Sequence, residues 1–112
     1  MSTIGTVQKQ PDGSFVGFIT TLTVDATVRI VPVSDKPSDD LPDYRVFGRP
    51  NGDGKRRECE LGAGWIRTSK TTGAEYVSLK LDDPSLRAPI YANLGRASGE
   101  HDDDVYAVIW TR

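Results

Sequence analysis

The chain has 112 residues, enough for one domain, 1–112, with a core of its own and too few for two. Hydrophobic residues make up 37% and charged residues 27%, so neither disorder nor a fibrous or membrane-spanning chain is indicated, and no stretch approaches the roughly 20 apolar residues that a membrane span requires. The formal net charge of −2 excludes the broad basic excess of a duplex-DNA binder, and the balance drifts from 8 basic against 7 acidic residues over 1–57 to 6 against 9 over 58–112.

Strand signals run the length of the chain. Thr3 to Lys9 reads as a first strand, Pro11-Asp12-Gly13 as a tight turn, and Ser14 to Leu22 as the return strand. Phe15, Gly17 and Ile19 line one face of the return strand, and Val16, Phe18 and Leu22 the other. Ala26 to Val33 is a third strand with Ala26, Val28 and Ile30 on one side, and Pro32 ends its regular pairing because proline has no N–H to donate. A polar connection over 34–43 leads to a short strand, Tyr44 to Phe47. A basic, glycine-containing loop then runs from Gly48 to Arg57.

Glu58 to Ser69 resumes extended structure, and Gly62-Ala63-Gly64 within it points to a bulge or a tight barrel corner. Glu75 to Leu81 is the next strand, with Val77, Leu79 and Leu81 inward and Tyr76, Ser78 and Lys80 outward. Ile90 to Leu94 and Val105 to Arg112 complete the set, separated by an acidic loop. Helical periodicity is missing, and at most one short helical turn fits, over 83–87. The fold expected is all-β: a single small antiparallel meander closing into a barrel or a sandwich. Trp65 and Trp110 are expected to be its core pillars.

The motifs that carry chemistry fail on inspection. His101, the only histidine, sits in Gly99-Glu100-His101-Asp102-Asp103-Asp104, which matches no Ca²⁺ loop and reads as a solvated turn. Cys59, the only cysteine, lies between Glu58 and Glu60 and lacks the electropositive setting of a nucleophilic thiol. A lone cysteine also rules out an intrachain disulfide, which suits a reducing compartment. Gly54-Lys55 resembles the end of a phosphate-cradling loop, but Arg49 stands where the first glycine belongs and Arg56 where Ser or Thr would hold Mg²⁺. The pairs Asp39-Asp40 and Asp82-Asp83 read as turn formers. The chain is therefore expected to be a non-enzymatic binding module without metal or cofactor. With no signal-like N-terminus, a cytoplasmic location is expected.

Ser2-Thr3-Ile4-Gly5-Thr6-Val7, Asp12-Gly13-Ser14-Phe15, Pro42-Asp43-Tyr44-Arg45-Val46-Phe47, Glu60-Leu61-Gly62-Ala63-Gly64-Trp65, Leu79-Lys80-Leu81-Asp82-Asp83-Pro84, Ala88-Pro89-Ile90-Tyr91-Ala92 and Ile109-Trp110 together resemble the bacterial family designated domain of unknown function 736. The likeness spans essentially the whole chain, although 49–58 is longer and more basic than in the family pattern. It implies a small accessory protein of proteobacterial plasmids and integrative conjugative elements, and carries no activity or site over.

Two readings follow. In the first, the chain is an accessory protein of a mobile genetic element that binds a host or element-encoded protein complex, in the manner of an anti-restriction or anti-CRISPR inhibitor. Asp82, Asp83, Glu100, Asp102, Asp103 and Asp104 would then face a basic partner. In the second, it is a single-stranded nucleic-acid-binding barrel, similar to the oligonucleotide-binding fold, that supports conjugative DNA transfer. Arg45, Arg49, Lys55, Arg56, Arg57, Arg67 and Lys80 would follow phosphates while Tyr76 and Tyr91 stack bases. The charge balance tips the choice toward the first. An exposed sheet edge would also allow two copies to pair as a homodimer.

Overall fold

A computed structural model describes residues 2–34, 40–51, 57–96 and 104–111. Eight strands follow in chain order: β1 (Ser2–Lys9), β2 (Phe15–Thr20), β3 (Asp25–Pro32), β4 (Tyr44–Pro50), β5 (Cys59–Thr68), β6 (Glu75–Leu81), β7 (Ile90–Arg96) and β8 (Val105–Thr111). Each pairs antiparallel with the next, and β8 returns to β1, so the meander closes into a barrel. This is not the five-stranded Greek-key barrel of oligonucleotide-binding folds. Among the described residues there is no helix, and 83–88 forms turns and bends where one helical turn had fitted. It follows that no helix is long and apolar enough to cross a membrane.

The two-residue period sets the inside and the outside. Phe15 and Ile19 of β2, Val28 and Ile30 of β3, and Leu79 and Leu81 of β6 are buried, with Val7, Val46 and Val108 from their neighbours. Eight strands enclose a space about wide enough for side chains to fill, and at its upper part Phe15 makes edge contacts with Tyr44 (centroids 5.9 Å apart) and Tyr106 (5.4 Å). The suspected corner is present: a β-carbon on Gly62 would lie 2.0 Å from the Lys80 carbonyl oxygen, and the register slips between Val46↔Gly62 and Phe47↔Glu60. Two expectations fail. β4 extends to Pro50, because Gly48, Arg49 and Pro50 pair with Val28, Thr27 and Ala26, so the basic segment begins as strand and not as loop. Trp65 faces outward and Trp110 is only half-buried near the lower end, so neither is a core pillar; Phe15, Tyr44 and Tyr106 take that place.

Tyr44 gives the core a pH dependence. Its phenol lies above its ordinary pKa, mainly because burial disfavours the phenolate and further because Asp43 is close. The unfolded phenol titrates near 10. The stabilisation is therefore complete below about pH 10 and is lost as pH rises through the higher folded value. Denaturant unfolding across that range should show a steeper alkaline loss for the native chain than for Tyr44→Phe. Parallel curves would assign the loss to other groups.

Candidate functional site

Because successive connections of an up-and-down meander alternate between the barrel ends, chain order fixes where each candidate lies. The connections after β1, β3, β5 and β7 share the upper end, and those after β2, β4 and β6 the lower. The acidic set is thereby divided. Asp82 and Asp83 follow β6 at the lower end. Asp104 precedes β8 at the upper end, where its carbonyl accepts the Lys9 N–H at 2.7 Å. Glu100, Asp102 and Asp103 lie outside the described residues, as do His101 and Asp39. Asp83 is occupied locally: its carboxylate accepts the Ser85 N–H at 3.0 Å and the Ser85 hydroxyl, which hold it below the usual carboxylate range. Of the three described acids, Asp82 and Asp83 therefore stand at the opposite end of the barrel from Asp104.

The basic and aromatic set behaves differently. On the outer wall of β5, β6 and β7, cross-strand registry sets Arg67 opposite Tyr76 and Lys80 opposite Tyr91. Directly opposed side chains on one face lie within reach of each other, so two cation–ring couples stand on one wall. Trp65 stands between them, opposite Ser78, which is opposite Asn93 in turn. Tyr91 is 49% exposed. Trp65 is half-buried, and its indole N–H donates to the Asp40 carbonyl at 3.4 Å, leaving its position tied to the β3–β4 connection. Residue parity carried this signal: Ala63, Trp65 and Arg67 share a face, and the glycines at 62 and 64 take the inner one.

Two depressions flank β6. The upper, of about 520 Å³, is lined by Arg67, Lys70, Tyr76 and Asn93 among others. The lower, of about 440 Å³, is lined by Trp65 and Lys80 together with Glu60 and Asp82. A third cleft, of about 360 Å³, occupies the lower mouth of the barrel between Val24, Leu61 and Leu86, with the exposed Cys59 beside it.

The remaining cations are dispersed. Arg45, on the outside of β4, reaches Glu60 at 3.3 Å. Arg49 is at the lower end of β4 and Arg57 just before β5, while Lys55 and Arg56 lie outside the described residues. Arg29, not singled out from sequence, grips Glu58 through both carboxylate oxygens at 2.9 and 3.2 Å and lies 5.2 Å from the centre of the Phe47 ring. That grip holds Glu58 below its ordinary pKa. Such exposed pairs stabilise by only about 0–1 kcal/mol, so they order the β3–β5 wall without closing it. Among the described residues, no group of three or more His, Cys, Asp or Glu side chains could hold a metal ion.

Residues 3–112 match the family described as Protein of unknown function (DUF736). No curated protein matches the chain, and no solved structure does.

Proposed function

Since the chain belongs to this family, whose description assigns no activity, we propose from the geometry that it is a non-enzymatic module binding single-stranded nucleic acid on the outer β5–β7 wall. The observation that supports this is the double juxtaposition of Arg67 with Tyr76 and of Lys80 with Tyr91, each a cation beside a ring on the same face. Rings on a β surface stack bases of any sequence, and neighbouring cations follow the backbone, each stacked base contributing about 1–3 kcal/mol. A local wall of this kind serves a chain whose net charge is negative, because the phosphates meet Arg67, Lys70 and Lys80 and not the average surface. In the setting that the family likeness implies, the ligand is the displaced strand of a transferring mobile element, in the cytoplasm.

Binding of a labelled oligonucleotide should be measurable at low salt and should weaken linearly in log–log form as salt rises, with a slope of roughly −0.7 for each phosphate neutralised. Absence of binding at low ionic strength defeats the reading.

A second reading, docking to a host-defence or transfer protein complex, has its own support elsewhere on the molecule. Val16 (38% exposed) and Phe18 (48%) stand side by side outside β2, where a closed barrel wall has no internal need for them. Aromatic side chains of this kind anchor protein interfaces. Capture of a specific complex that Phe18→Asp releases, with no oligonucleotide binding, would favour it over the first.

A further inference from the structure

Among the described residues, the barrel's shortest seam lies between β6 and β7. β6 and β7 pair at four positions, from Ser78↔Asn93 to Leu81↔Ile90. Above Ser78↔Asn93, residues 75–77 of β6 and 94–96 of β7 have no register partner across the seam, although each stretch is paired on its other side, to β5 and β8. The upper depression lies at this splayed stretch, lined by Arg67, Lys70, Tyr76 and Asn93.

We propose that this splayed seam is the anchoring subsite of the wall, holding one nucleotide, and that the whole site covers no more than about five. The inference rests on the nucleic-acid reading and adds where the strand is held and how much of it is held. Arg67 stands opposite Tyr76 and Lys70 lines the same depression, which suits a phosphate beside a stacked base. Among the described residues, no ring packs on Tyr76 and the Asn93 amide makes no hydrogen bond, so its donor and acceptor remain for a base edge. The depression, of about 520 Å³, is open to solvent, as a surface that a strand lies across must be.

The rest of the footprint follows from strand geometry. Tyr76 and Lys80 are four residues apart on β6, and an antiparallel strand rises about 3.4 Å per residue, so the two couples are separated by about 14 Å. Stacked nucleotides advance about 3.4 Å each along a strand, and bases splayed onto protein rings advance further. The interval between the couples therefore admits at most about four steps, or about five nucleotides with one at each couple.

Fluorescence anisotropy with end-labelled oligothymidylates of increasing length, at low salt and with the full chain, tests this. Affinity should climb up to the pentamer and then rise only by the statistical gain of extra registers. Tyr76→Ala should weaken every length, the dimer included, by about 5- to 100-fold. Tyr76→Phe should restore binding because it keeps the ring. Tyr91→Ala should weaken the pentamer and leave the dimer unchanged.

A steep rise in affinity continuing to the dodecamer would overturn the short footprint while leaving the nucleic-acid reading intact. Dimer binding lost in Tyr91→Ala and kept in Tyr76→Ala would overturn the anchoring assignment. Failure of every length to bind would remove the nucleic-acid reading itself.

Discussion

Gly17→Ala is expected to destabilise the barrel by about 3 kcal/mol or more and to lower its melting temperature by more than about 10 °C. A β-carbon at Gly17 would lie 1.9 Å from the Thr6 carbonyl oxygen and 2.6 Å from the Val7 α-carbon. The constraint is reciprocal, since a β-carbon at Gly5 would meet the Phe18 carbonyl oxygen at 2.0 Å. Both positions face inward, opposite Val7 and Ile19 respectively. The β1–β2 ribbon thus bends so sharply that each strand's backbone occupies the space of the other's side chain. Rotamer changes cannot relieve such an overlap, because the obstacle is main chain, and overpacking that forces backbone movement lies at or above the usual range of about 1–3 kcal/mol. Thermal melts followed by far-ultraviolet circular dichroism decide the matter. A loss below about 1 kcal/mol would mean that the two strands do not approach so closely.

The inside and outside of the barrel were legible because periodicity of two is a property of the strand itself. Phe15 and Ile19 against Val16 and Phe18, and Val77, Leu79 and Leu81 against Tyr76, Ser78 and Lys80, face as their alternation requires. Turn chemistry was equally local: in Pro11-Asp12-Gly13, Gly13 has φ +89° and the Asp12 carboxylate accepts both the N–H and the hydroxyl of Ser14.

Trp65 was misread because ring size suggested burial, while its parity with Arg67 and the inward glycines on either side put it outside. The division of the acidic residues was implicit in the meander. Asp82 follows an even-numbered strand and Asp104 an odd-numbered one, so an up-and-down barrel sends them to opposite ends. That the meander closes was legible; the choice of barrel over sandwich, made by pairing β1 with β8, and the short β6–β7 seam were not. Both depend on register between strands, which composition and spacing leave undetermined. The same closure bears on self-association. With β1 joined to β8, no terminal strand is left free for edge-to-edge pairing of two copies, while among the described residues unpaired edge positions remain at the β6–β7 seam, 75–77 and 94–96.

Reversing two charges on the wall, Arg67→Glu with Lys80→Glu, is expected to reduce oligonucleotide affinity at least 100-fold at low salt, about 2.8 kcal/mol. Both side chains project from the outer face, Arg67 opposite Tyr76 and Lys80 opposite Tyr91, so neither change removes core packing and the melting curve should be nearly unaltered. Two phosphate contacts are replaced by two repulsions. The salt slope should therefore fall in magnitude by roughly 1.4, and the loss should be similar for all base sequences because phosphate contacts carry no sequence information.

Asp82 provides a control of opposite sign, since it lines the same lower depression as Lys80. Asp82→Asn removes a negative charge from the path of the strand and should raise affinity by a small factor. This comparison also separates the two functional readings. If acidic side chains captured a basic protein, Asp82→Asn would weaken partner binding and the double reversal would be neutral or helpful. Unchanged oligonucleotide affinity in the double reversal, with an intact fold, would place the nucleic acid elsewhere on the barrel and remove the β5–β7 wall from consideration.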